Sequence, residues 1–78
     1  MARDQYFVVL QEKQWKIKYK EKHYGPYASQ AMAIRLAVDS AQKAGKTNPD
    51  GGQVLVQGTD NKFRTEWIYG KDPYPPPG

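Results

Sequence analysis

The segment Trp15-Lys16-Ile17-Lys18-Tyr19-Lys20 alternates bulky apolar and cationic side chains without a break. Successive side chains of a β-strand leave the backbone on opposite faces. Extended, this segment therefore carries Trp15, Ile17 and Tyr19 on one side and Lys16, Lys18 and Lys20 on the other. A helical period of 3.6 residues would scatter both sets around its surface. A strand with one apolar and one charged face belongs in a sheet that is covered on one side and wet on the other. The rest of the chain has to supply the neighbouring strands and the cover.

Tyr6–Leu10 is a β-branched and aromatic run, separated from Trp15 by the polar stretch Gln11–Gln14, and the two runs predict a β-hairpin. Glu21–Ala28 holds a Gly25-Pro26 turn signal, with Tyr24 and Tyr27 placed to anchor an extended segment or a short third strand. Ser29 is positioned as a helix N-cap. From there a helix is predicted to about Ala44, with Ala31, Ile34, Ala37, Val38 and Ala41 on one stripe, Arg35, Asp39, Gln42 and Lys43 opposite, and Gly45 as the C-cap. Asn48–Gly52 is a turn cluster, and Gln53–Gly58 is a strand with Val54 and Val56 on one face. Thr59–Lys62 has hairpin-turn chemistry. Phe63–Tyr69 reads as the last strand, with Phe63, Thr65, Trp67 and Tyr69 on one face and Arg64, Glu66 and Ile68 on the other. The expectation is an α+β fold of order ββαββ, an antiparallel sheet of about four strands with one helix packed on one face. Residues 1–5 form an N-terminal extension, 6–70 the domain and 71–78 a proline-rich tail.

Seventy-eight residues fit one domain with a small core, and ten aromatic residues supply much of the area to be buried. There is no cysteine, hence no disulfide and no thiolate ligand or nucleophile. The opening Met1-Ala2-Arg3-Asp4-Gln5 lacks the apolar run of a signal peptide, and no stretch nears the roughly 20 apolar residues of a membrane span. A reducing cytoplasm and no membrane partner are the expectation. Of the net charge of +4, residues 1–46 hold nine Lys or Arg against four Asp or Glu, while 47–78 hold three against four. The basic excess gathers around the alternating segment.

Catalysis requires convergent groups, and the sequence does not gather them. His23 is the single histidine, Ser29 and Ser40 belong to the helix, and the eight carboxylates are scattered. Asp50-Gly51-Gly52 lacks the lysine and spacing of a phosphate loop. The reading is a non-enzyme that holds no cofactor and no metal. On a strand, Lys16, Lys18 and Lys20 stand about 6.5–7 Å apart, close to the spacing of successive phosphates on one nucleic-acid strand. Arg64 joins that row if the last strand pairs nearby, with Phe7 and Ile68 as apolar or stacking surface. Such a face binds nucleic acid without reading its sequence. The same lysines could instead solvate the outer sheet and guard it against edge aggregation, or meet a protein partner. In the tail, Pro73, Tyr74, Pro75 and Pro76 satisfy a minimal PxxP pattern for docking on an aromatic groove. The same segment could fold back so that Tyr74 packs beside Trp67 or Trp15. A protein-interaction module acting through aromatics, a sheet edge or the tail is thus the alternative, and edge pairing into a homodimer is left open.

Tyr6-Phe7-Val8-Val9, Trp15-Lys16-Ile17-Lys18, the helix around Ala31–Ala41, Val54-Leu55-Val56 and Gly58 through Arg64 follow one another in a familiar order. Tyr69-Gly70-Lys71-Asp72-Pro73-Tyr74-Pro75-Pro76 closes it. In this order and in its closing motif the chain resembles the bacterial domain-of-unknown-function family 2188. The resemblance implies a small domain of this architecture; it brings no activity and no site residues.

Overall fold

The computed structural model of the protein describes residues 4–74. Five strands and one helix follow in the order β1 (Asp4–Gln11), β2 (Gln14–Tyr19), β3 (Lys22–Tyr27), α1 (Gln30–Thr47), β4 (Gly52–Gln57) and β5 (Phe63–Ile68). The third strand, open in the sequence, is formed. The strands make one sheet in the order β3-β2-β1-β4-β5. The fold class is α+β as expected, yet the sheet is mixed: β1 and β4 pair in parallel at its centre, with antiparallel hairpins on either side. Parallel neighbours cannot be joined by a tight turn and need a long crossover, here made by α1.

The alternating segment behaves as its pattern demands. Val8 pairs with Ile17, and Tyr6 with Tyr19, on the side beneath the helix. Phe7 pairs with Lys18, and Val9 with Lys16, on the opposite side. The core joins Tyr6, Val8, Ile17, Val54, Val56 and Trp67 of the sheet to Ala33, Ala37, Val38 and Ala41 of the helix. Trp15, Tyr19, Tyr27, Ile34, Ala44 and Tyr69 pack around its rim.

Helix α1 starts as predicted, with the Ser29 hydroxyl accepting from the Met32 amide at 3.1 Å. It ends later, at Thr47, where the Asn48 amide donates to the Ala44 carbonyl at 2.8 Å. Gly45 is therefore not the cap. It lies inside the helix, where the Tyr69 ring occupies the space a side chain would take. The buried stripe also includes Ala33, whereas Ala31 is exposed. Alanines at 33, 37 and 41 keep the helix flat against the sheet. At Gly52 the approach is so close that a Cβ would lie 2.5 Å from the Ala41 carbonyl oxygen.

Two irregularities redirect side chains in the edge strands. Between β4 and β5, Val54 pairs with Trp67 but Leu55 pairs with Thr65, so Glu66 is an extra residue. A bulge of this kind reverses the alternation. Trp67 is thereby buried under the helix, while Phe63 and Thr65 fall on the opposite face, contrary to the single face expected for all three. Arg64, paired with Val56, lies on the helix side and Ile68, paired with Gln53, on the other. Between β2 and β3, Trp15 pairs with Tyr27 and Ile17 with Tyr24, so both β3 tyrosines turn towards the helix.

Both ends of the described residues are tied to this frame. Strand β1 opens at Asp4, inside the expected N-terminal extension. The Asp4 carboxylate accepts from the Tyr19 hydroxyl at 2.9 Å and from the Asn48 side-chain amide at 3.2 Å, joining two strands to the helix end. After β5 the Trp67 indole donates to the Pro73 carbonyl at 3.0 Å, and the Tyr74 hydroxyl donates to Asp39 at 2.7 Å. The Tyr74 and Trp67 rings meet edge to face at 6.2 Å. Of the two courses open to the tail, residues up to Tyr74 follow the fold-back beside Trp67; Pro75 and Pro76 lie outside the described residues.

The β1–β2 turn is made by Glu12 and Lys13, both at positive φ (51° and 65°), the φ signature of a type I′ hairpin that favours Asn-Gly. Replacing Glu12 and Lys13 by Asn and Gly is expected to stabilise the fold by about 1 kcal/mol, raising Tm by about 4–8 °C in a domain of this size. Thermal unfolding followed by circular dichroism checks this; an unchanged or lowered Tm contradicts the strained turn.

Candidate nucleic-acid interface

With α1 on one side, no helix or strand among the described residues covers the other side of the sheet. Its residues come from β1 (Gln5, Phe7, Val9), β2 (Lys16, Lys18), β4 (Gln53, Leu55, Gln57) and β5 (Phe63, Thr65, Ile68), with His23 of β3 beside Lys18. Alternation along each strand, reset by the bulge at Glu66, brings them together. Val9 is only 7% exposed although no helix covers it, so side chains on this face pack closely. Phe63 in contrast is 43% exposed. It meets Phe7 edge to face, ring centroids 5.3 Å apart.

The polar residues form a ladder across the sheet. The Gln5 side chain donates to Gln53 at 3.2 Å, and Gln53 donates to the Thr65 hydroxyl at 2.7 Å. The strands contain two acids, and neither interrupts the lysine row. Asp4 lies on the helix side with its oxygens engaged by Tyr19 and Asn48, and Glu66 is the bulged residue of β5. The open face is cationic at β2, apolar and aromatic from β1 to β5, and amide-rich towards one end.

Of the four residues proposed from sequence, Lys16 and Lys18 stand together on this face. Lys20 does not continue the row: it sits in the β2–β3 turn at φ 56°, and its ammonium lies 5.2 Å from the centroid of the Tyr19 ring. Arg64 is also separated from the lysines, because the reset alternation places it beside Leu10, Trp15 and Gln30 on the helix side. Phe7 and Ile68 lie on the open face as expected, and Phe63, expected to share the face of Trp67, belongs here with them. The signal for Phe63 is a register shift, which depends on pairing with β4 and leaves no mark in the β5 sequence. In the tail, Pro73 and Tyr74 are engaged by Trp67 and Asp39 within the molecule.

A second concave feature, about 500 Å³, opens between α1 and the β2–β3 hairpin. Tyr6, Tyr19, Tyr24 and Tyr27 line it, with Leu36 and Lys43 from the helix. The Tyr6 and Tyr19 rings stack at 4.3 Å, 10° from parallel. Burial, reinforced by Tyr19 and the Asp4 carboxylate, pushes the Tyr6 hydroxyl up to about 12. Burial and the bond to Asp4 also raise Tyr19, and the bond to Asp39 raises Tyr74. These shifts favour neutral phenols, which hydrogen-bond within the molecule. Among the described residues, no group of three or more His, Asp or Glu is gathered to hold a metal ion, and no helix is long and apolar enough to cross a membrane.

A family model described as an uncharacterized protein conserved in bacteria matches residues 6–69. No curated protein and no solved structure matches the chain.

Because Tyr6 is raised in the folded state, its contribution to stability is complete below pH 10 and is lost as pH climbs through about 12. In an alkaline titration followed by phenolate absorbance, Tyr6→Phe is expected to remove the latest-ionising phenol. If the late phase survives the substitution, the assignment to Tyr6 is wrong.

Proposed function

The chain belongs to DUF2188, a bacterial family described only as uncharacterised, and from the geometry of its open sheet face we propose that it is a nucleic-acid-binding module that acts by binding and not by catalysis. The observation that carries the reading is the joint placement of Lys16 and Lys18, free of any intervening acid, on the same face as the exposed Phe63, with β1 and β4 between them, on the side that the helix leaves uncovered. Lysines on a solvating face need no apolar neighbours, and an exposed phenyl ring gains nothing from water. Together they suit a polyanion that also carries flat apolar groups. The net charge of +4 adds a long-range attraction to such a ligand. With two lysines as the cationic contacts and, among the described residues, no base-reading fork of Arg, Asn or Gln built around a groove, the binding is weak and sequence-tolerant.

Fluorescence anisotropy with a short labelled oligonucleotide at two or more salt concentrations tests the reading. Two phosphate contacts predict log K falling with log salt at a slope of about −1.4 for a single strand, or about −1.8 for a duplex. Lys16→Glu with Lys18→Glu is expected to abolish binding at low salt while circular dichroism shows the fold retained. Undiminished affinity in that double variant, or no binding by the parent protein at low salt, overturns the proposal.

A further inference from the structure

Resting on the reading of the open face as a nucleic-acid surface, we infer that it takes single strands in preference to duplexes, with Phe63 as the platform on which a base stacks. In a duplex the bases are stacked on one another, and a flat protein surface meets chiefly phosphate and sugar. Lysines alone would serve that encounter. An aromatic ring on an open sheet becomes useful when bases are unstacked and can lie against it. Phe63 keeps 43% of its surface exposed, on the same side of the sheet as both strand lysines. Phe7 braces it edge to face at 5.3 Å, which holds the Phe63 ring in one orientation without covering it.

The cations are set at a suitable offset from the rings. Lys18 is the direct cross-strand partner of Phe7, and Lys16 that of Val9. Directly opposed side chains start about 4.5–5.5 Å apart, and a lysine stem extends several ångströms beyond. Phe63 on β5 stands three strand spacings from β2, roughly 14 Å, so a strand lying over β1 and β4 sets its phosphates towards the lysines and a base on Phe63. The amide ladder of Gln5, Gln53 and Thr65 lies to one side of this path, its groups bonded to one another. Leu55, half-buried on the strand between the two rings, continues the apolar floor. Stacking accepts every base, so the preference is for strandedness and not for sequence.

The test compares three probes at low salt: a single-stranded oligothymidine, a duplex of equal length, and inorganic polyphosphate, which has the charge but no bases. The parent protein is expected to bind the single strand most tightly. Phe63→Ala should weaken single-strand binding about 5- to 140-fold, the range set by losing one base stack, and leave polyphosphate binding unchanged. Phe63→Tyr should retain the affinity, and Phe63→Leu, apolar but without a ring, should behave like alanine. Equal affinity for single strand and duplex, or indifference to Phe63→Ala, overturns the inference; if polyphosphate and both oligonucleotides still bind in a salt-dependent way, the broader nucleic-acid reading survives it. Failure of all three probes to bind overturns both.

Discussion

One extra residue in β5 decides what each side of this sheet becomes. Because Glu66 has no counterpart in β4, Trp67 turns under the helix while Phe63, four positions earlier, turns away from it. With an even register both would lie on one side, and either the core would lose its largest side chain or the open face its exposed ring. Trp67 in turn anchors the segment after β5, since its indole holds the Pro73 carbonyl and its ring packs against Tyr74. Core, tail and exposed face thus share one cause.

The helix completes the asymmetry through small residues. Alanines at 33, 37 and 41 and the bare backbone at Gly52 let α1 lie close over β1 and β4, so a single helix seals the central strands. Larger side chains there would lift it and open the core to water. At the periphery, tyrosines stack or pack their rings against the frame and keep their hydroxyls bonded: Tyr19 to Asp4, and Tyr74 to Asp39. Among the described residues no tyrosine lies on the opposite side, where Lys16, Lys18 and Phe63 stand. A small domain with so few large aliphatic residues in its core has little to spare, yet Phe63, like Leu10 and Met32 elsewhere, is left exposed.

Where the pattern is local, the chain could be read directly. The alternation from Trp15 to Tyr19 and the Ser29 cap identify their elements because side-chain periodicity and a hydroxyl before a helix act within a few residues. The parallel pairing of β1 with β4 was not legible, since nothing in either strand distinguishes a parallel neighbour from an antiparallel one. Gly45 illustrates a related limit: its meaning comes from Tyr69, distant in sequence, and a local rule takes it for a cap. The same holds for the interface. Lys16 and Lys18 follow from alternation, whereas Lys20 is lost to a turn and Arg64 and Phe63 exchange faces through a bulge set by pairing.

The proposed function requires the uncovered side of the sheet, and not the tyrosine-lined cleft, to be the working surface. An NMR titration of the labelled protein with a short oligothymidine at low salt addresses this residue by residue. The prediction is that resonances of Phe7, Lys16, Lys18, Leu55, Phe63 and Thr65 shift together, while those of Ala33, Ala37 and Ala41 stay in place. Shifts centred on Tyr24, Tyr27, Leu36 and Lys43 would contradict it.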